Sequence, residues 1–355
     1  MMEDTIYIAT RKSALALWQA EKVQQLLKEQ EKNSELIPVV TTGDKMQHTQ
    51  LSSVMLEQNQ PHHLTTGKGL FIKEVQEALL SHQAHLAVHS MKDLPVEQTS
   101  GLIIGALLPR ASPCDVLVIS PQVLQEINLT SSVVGEIPFE TLKSLLLKSK
   151  LFCTLPIGTT SSRRQFLMRN LFSSQLNLQI LRGNVDSRLK KINNNEFSAI
   201  LLAQAGLERL NLFDTKYMAP LPLHSFIPAT AQGVIAIECT NDNKNLLRIL
   251  QKLNCAETCL CTAIERTVLH LLDGDCNSSI GIHYSKQSIS IIYKKAEIEK
   301  SLQIAVTLED LEELKTMYTS TGGIYSYFIE QMAKSLFTDK IKALLLKVGL
   351  YRTKT

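Results

Sequence analysis

Aromatic residues are scarce in this chain of 355 residues, at 5% with a single tryptophan, and charge of one sign is nowhere in large excess. The net charge is +3, from 37 basic against 34 acidic residues. The strong basic excess or Lys/Arg block of a nucleic-acid binder is therefore missing. Long apolar runs are missing too. The longest uncharged ones, such as 102–108, fall far short of the roughly 20 residues that a membrane span needs. The first dozen residues lack the basic start and apolar stretch of a secretory signal. These absences predict a cytoplasmic protein with neither a membrane nor a nucleic acid as partner. Seven cysteines, an odd number, then fit thiols better than a disulfide set. The chain also has no Walker loop, no G-x-G-x-x-G, no HExxH and no G-x-S-x-G elbow. Those reaction classes lose their usual sequence support.

What is present is ordinary globular material, 44% hydrophobic and 20% charged, long enough for two or three compact units. The first half alternates strand-like and helix-like segments, which predicts an α/β domain with helices on a mainly parallel sheet. Strands are expected over Thr5–Ala9, Ile37–Thr42, Leu86–His89 and Leu102–Leu107. Helices are expected from Ser13, as N-cap, through Leu27 and over Gly69–Leu80. The polar stretch 46–66 between them reads as a lid, because a loop of about 20 residues is rare inside a compact domain. A second α/β unit starts near Asp115. Its expected strands are Asp115–Ser120, Gln179–Arg182 and Ser198–Ala203, and its helices Ser161–Leu171 and Val185–Ile192. An insertion near 121–156 carries a helix at Leu142–Leu151. The strand Val234–Glu238 returns to the first sheet. A third, α+β unit begins near Cys255, with a helix Glu257–Leu272, strands around Ile280–Tyr293 and Leu302–Leu308, and a helix near Tyr325–Leu336. The resulting division is 1–110 with 234–252, then 115–228, then 255–355.

Several segments are able to carry chemistry. In Gly158-Thr159-Thr160-Ser161-Ser162-Arg163-Arg164, small hydroxyl residues lead into a helix whose free N–H groups and dipole favour an anion. The paired arginines supply bidentate partners for carboxylate or phosphate. A plain N-cap followed by two solvated arginines is the competing reading. Arg182-Gly183-Asn184, with Arg188 beyond, lies at another strand-to-helix junction, where α/β domains bind ligands. Arg11-Lys12-Ser13 marks a third. Lys92 and Asp93 follow the strand ending at His89. Such a pair is usually a surface ion pair of little worth, but in a cleft Asp93 is able to stabilise a cation or pass a proton. His89 itself reads as a packed strand residue. Cys255, Cys259 and Cys261 share one helical stretch, but their spacing matches no common zinc pattern, so buried structural thiols are expected. Cys276 stands apart, in a polar turn of the kind that presents a nucleophile or a covalent attachment point, but on the turn alone it reads as an incidental thiol.

Taken in order, these segments closely resemble the porphobilinogen deaminase family. The matching pieces are Ala9-Thr10-Arg11-Lys12-Ser13-Ala14-Leu15-Ala16-Leu17-Trp18-Gln19-Ala20, Gly67-Lys68-Gly69-Leu70-Phe71-Ile72-Lys73-Glu74 and Ala87-Val88-His89-Ser90-Met91-Lys92-Asp93-Leu94-Pro95. They continue with Gly158–Arg164, Leu181-Arg182-Gly183-Asn184-Val185, Ala205-Gly206-Leu207 with Arg209, Pro228-Ala229 with Gln232-Gly233, and the loop of Cys276. The match spans most of 5–285 and is weaker in 46–66, in 121–156 and beyond about 285. It implies two periplasmic-binding-protein-like lobes around a cleft, plus a small α+β C-terminal domain. It also implies a monomeric transferase of tetrapyrrole biosynthesis that takes porphobilinogen as substrate and needs no metal. Four molecules lose ammonia and condense head to tail into hydroxymethylbilane, on a dipyrromethane cofactor joined by a thioether to Cys276.

The residue roles follow from that resemblance. Arg163, Arg164, Arg182 and Arg188 would hold the acetate and propionate groups, with Lys92, Ser90, Thr159, Thr160 and Ser161 assisting. Arg11, Ser13, Gln19 and Arg209 would bind the substrate side, and Lys68 and Lys73 would flank the lid. Asp93 would stabilise the cationic azafulvene left by loss of ammonia. Three positions depart from the family. Asp275 and Ser279 replace the usual Gly before and Pro after the attachment cysteine, and Asp275 should raise that thiol's pKa. Ala231 stands where Gly is common. Two other readings remain: a non-catalytic two-lobed binder of polycarboxylates, and a metal protein using Cys255, Cys259 and Cys261.

Overall fold

The computed structural model describes residues 5–41, 72–272, 279–285, 287–295 and 298–351. The expected lid 46–66, Lys68, Asp275 and Cys276 lie outside the described residues.

The first sheet is built from β1 (Ile6–Arg11), β2 (Ser34–Val39), β3 (Leu86–Ser90) and β4 (Leu102–Leu107), with α1 (Ala14–Lys28) and α2 (Lys73–Leu80) between them. Side chains alternate along β1 as the pleat requires. Ile8 enters a core with Val23 and Leu27 of α1, whereas Ala9 meets Val75 and Leu79 of α2 on the opposite face. Ser13 caps α1 as its sequence predicts, accepting from the Ala16 N–H.

The second sheet contains β5 (Asp115–Ile119), β6 (Ile157–Gly158), β7 (Leu178–Gln179), β8 (Ala199–Ala203) and β9 (Met218–Pro220). Its helices are α3 (Pro121–Glu126), α4 (Phe139–Lys148), α5 (Lys150–Thr154), α6 (Ser162–Leu171), α7 (Val185–Asn193) and α8 (Gln204–Arg209). Leu117 and Ile119 face one core and Val116 and Val118 the other. The expected helix Leu142–Leu151 is two helices. They break at Ser149, whose hydroxyl accepts from Phe152 N at 2.9 Å and donates to Glu126. The expected strand Gln179–Arg182 ends at Gln179. Ile180 is already exposed, and Gly183, with φ +113, turns the chain into α7.

The chain then returns to the first sheet as β10 (Ile235–Thr240). The strand orders are β2-β1-β3-β10-β4 and β7-β6-β8-β5-β9. In each sheet the first three strands are parallel, and the fourth is antiparallel to both its neighbours. Each antiparallel strand enters directly after a crossing from the other sheet. The expectation of a mainly parallel sheet holds, since four strands of each sheet run the same way and only the inserted β10 or β5 opposes them. The result is an α/β fold of two lobes of one plan, joined by two crossings.

After α9 (Lys244–Gln251) come α10 (Ala256–Leu271), the meander β11 (Ser279–Ser285), β12 (Ser288–Lys295) and β13 (Ile298–Ala305), and then α11 (Leu308–Ser320), α12 (Tyr325–Met332) and α13 (Leu336–Lys347). The strand expected over Leu302–Leu308 lies earlier, because Thr307 and Asp310 form a capping box that starts a helix at Leu308. The helix expected over Tyr325–Leu336 stops at Met332, and Ser335 caps the next one. This α+β unit shares a core with the first lobe, in which Tyr325 and Phe328 join Met91, Leu94, Ile104 and Leu107. Ser326 closes the edge of β4, its hydroxyl accepting from Ile104 N at 2.7 Å.

Candidate active site

The two crossings run side by side. Ala111 N–H donates to Gly233 O at 3.1 Å. Gly233 has φ +91, and a Cβ there would lie 2.4 Å from Ala111 O, so the close approach requires glycine. The first crossing delivers Asp115 to the head of β5, wholly buried. Arg164 is held beside it by the start of α6, where Ser161 Oγ accepts from Arg164 N and Ser161 N–H donates to Thr159 Oγ1. Arg164 donates to Asp115 Oδ1 from Nε at 2.9 Å and Nη2 at 2.7 Å, and from Nη1 to Leu201 O at 2.8 Å. Arg163 Nη1 sits 2.8 Å from Asp115 Oδ2 but donates to Ile227 O at 2.7 Å. Arg163 and Asp115 thus form a buried ion pair. Burial alone would raise the Asp115 pKa, but both guanidiniums and the Gln232 amide outweigh it and hold the carboxyl below its ordinary range.

The first lobe faces this cluster through a short 3-10 turn, Met91–Asp93, that follows β3. Arg266 of α10 braces the next segment by donating to Leu94 O and Val96 O, each at 3.2 Å, and to Pro95 O. Lys92 Nζ donates to Gln232 Oε1 at 3.1 Å. Burial brings the Lys92 amine down to about 8; Asp93 and Asp115 oppose the fall, while Arg164 and Arg163 reinforce it. Asp93 is half-buried. Ser90 Oγ and the buried Gln19 amide hydrogen-bond each other, at 3.0 Å from Gln19 Nε2. His89 is packed in the sheet, its Nε2 3.1 Å from Glu238. Arg209, on α8 of the second lobe, donates to Gly233 O at 2.7 Å and lies over the Trp18 ring of α1. Burial lowers its pKa to about 10.

Among the residues singled out from sequence, the structure gathers Lys92, Asp93, Arg163 and Arg164 into one electrostatically linked group. Arg188 lies near enough for Arg164 to add to the effect of burial, which lowers Arg188 to about 10. Arg188 also donates from Nε to Gly183 O at 2.7 Å. Thr159 is buried and Thr160 exposed, and the Thr159 and Ser161 hydroxyls are engaged in building the turn. Arg11 and Ser13 are half-buried at the start of α1. Arg182 is exposed, and Lys73 is an exposed partner of Glu77 at 3.7 Å. Cys276 and Lys68 lie outside the described residues.

Sequence reasoning missed Asp115, although an aspartate heading the apolar run Val116–Ile119 was a usable signal. It also gave no role to Gln232 or to the link between Arg110 and Glu265 at 2.7 Å. Glu265 further accepts from Ala231 N at 2.7 Å and lies 3.2 Å from His283 Nδ1, tying α10 and β11 to both crossings. Burial raises the thiol of Cys259 to about 12 and that of Cys261 to about 11.

Four cations in the cluster, Lys92, Arg163, Arg164 and Arg188, face two carboxylates, Asp93 and Asp115. That positive excess between two lobes fits a ligand bearing several carboxylates. Fold and site together define a two-lobed α/β protein with a positively charged cluster between its lobes.

Comparison with known proteins carries this further. The family model described as porphobilinogen deaminase, dipyromethane cofactor binding domain, matches residues 6–248. Porphobilinogen deaminase of Sulfurimonas denitrificans is 34% identical, covering 94% of this chain and 96% of that protein. The enzyme of the same name from Dichelobacter nodosus is 38% identical over 78% of this chain and 80% of its own length. That of Legionella pneumophila is 36% identical over 84% and 85%. Among solved structures, the VFT2 domain of Bordetella pertussis BvgS is similar at 14% identity with a TM-score of 0.39, covering 70% of this chain and 86% of that one. The chain belongs to the porphobilinogen deaminase family, and it carries that family's dipyrromethane cofactor-binding domain.

Proposed function

We propose that this protein is a working hydroxymethylbilane synthase, a transferase that deaminates and condenses four porphobilinogen molecules and releases the linear tetrapyrrole by hydrolysis. The observation that carries the reading is the cation cluster between the lobes, with Asp93 half-buried at its edge. When bound through a thioether to Cys276, the dipyrromethane supplies the pyrrole terminus on which the chain grows. Arg163, Arg164, Arg182, Arg188 and Lys92 hold acetate and propionate groups by charge-assisted hydrogen bonds. Arg11, Ser13, Gln19 and Arg209 receive the incoming substrate. Asp93 is the catalytic residue. Its carboxylate accepts from pyrrole N–H groups and stabilises the cation formed as ammonia leaves.

We read the division as 1–110 with 234–252, then 115–228, then 255–355, which agrees with the three sheets, and the protein as a cytoplasmic monomer. No helix among the described residues is long and apolar enough to cross a membrane. Replacing Asp93 by Ala should cut turnover by about 10²-fold or more while the cofactor stays attached, as read by porphobilinogen consumption and intact mass. Full activity in that variant would remove Asp93 from its role.

A further inference from the structure

Gln232 occupies the second crossing, is 1% exposed and uses every polar atom of its side chain. Its Nε2 donates to Pro113 O at 2.7 Å and to Asp115 Oδ1 at 3.0 Å, and its Oε1 accepts from Lys92 Nζ at 3.1 Å. The amide orientation is dictated by chemistry, because a carbonyl and a carboxylate only accept while the ammonium only donates. Its backbone carbonyl accepts from Arg110 Nε at 2.9 Å. One side chain therefore spans the gap between the turn of the first lobe that carries Lys92 and Asp93 and the buried aspartate that pairs with Arg163 and Arg164 of the second.

We propose that Gln232 is a positioning residue: it sets the placement of the Lys92–Asp93 turn relative to the arginine pair, so that both groups engage one carboxylate-bearing ligand. The proposal rests on the synthase reading given above. A ligand held from both lobes gains from pre-set spacing, and displacements of about 1 Å at such a site cost on the order of 10²-fold in rate. Glutamine fits the task as no charged residue would. A carboxylate here would lose both donors and repel Asp115, and a cation would repel Lys92.

The test is a double-variant cycle on the holoenzyme, reading kcat/KM for porphobilinogen with circular dichroism as the folding control. Gln232→Met removes both links, and Gln232→Asn keeps an amide but shortens its reach by one methylene. Each should lower kcat/KM by about tenfold or more in the native background. In a Lys92→Met background the same substitutions should cost less than about twofold, because the group being positioned is gone. A role confined to the fold would give equal losses in both backgrounds, and that additivity would overturn the proposal. Near-native kcat/KM in either folded variant would also overturn it, as would failure of both to fold. An unsubstituted protein that does not turn over porphobilinogen would instead refute the synthase reading.

Discussion

Asp115 is the residue on which the cation cluster depends. Buried arginines without a counter-charge are expensive, and removing one partner of a buried ion pair typically costs about 3–5 kcal/mol. Asp115 pairs with Arg163 at 2.8 Å and with Arg164 at 2.7 Å, with neither guanidinium more than slightly exposed. Asp115→Asn should therefore lower unfolding stability at pH 7 by about 3–5 kcal/mol, measured by denaturant titration. The folded-state pKa of Asp115 is depressed, so its contribution is complete above the unfolded value of about 3.9 and is lost as pH falls toward the folded one. The gap between native protein and variant should accordingly shrink below about pH 4. A variant as stable as the native protein at pH 7 would show that the arginines find compensation elsewhere.

At the scale of elements, the edge of the first sheet shows how local and distant determinants divide. β4 has β10 on one side only, and Ser326 at the start of α12 occupies the other, with its hydroxyl accepting from Ile104 N at 2.7 Å. Ser326→Ala would leave that buried N–H unmatched, at a cost of about 1–3 kcal/mol. Faster amide exchange at Ile104 is the expected local signature, and unchanged exchange would rule out the cap. Helices set by nearby residues were legible in the sequence: Ser13 before α1, Ser161 before α6 and the apolar face of α10 each announce themselves within one turn. The insertion of β10 between β3 and β4 was not legible, because strand order is decided by partners far apart in the chain. Nor was the break at Ser149, which depends on Glu126 from a different helix. The site divides in the same way. Lys92, Asp93, Arg163 and Arg164 stood out because they lie at strand ends, where α/β proteins bind ligands. Asp115 and Gln232 did not, since their meaning comes only from the partners that folding brings to them. Arg182 was singled out on the same local logic as Arg188, yet it is exposed, because the strand beneath it ends at Gln179.

At the scale of the whole molecule, two lobes of one plan are joined by two crossings, and the α+β unit is fastened to both crossings through Glu265. The arrangement places the end of α10, the element that leads toward Cys276, in one structure with the Lys92–Asp93 turn, because Arg266 on that helix holds the carbonyls of Leu94, Pro95 and Val96. Family membership, the cation excess between the lobes and this connection support the proposal of a primer held at Cys276, whose neighbours Asp275 and Ser279 differ from the family's usual ones. The intact mass of the protein from a host that makes porphobilinogen tests this most directly. The account predicts a covalent increment of two linked pyrrole units, absent from Cys276→Ser; an unmodified native chain that does not consume porphobilinogen would contradict it.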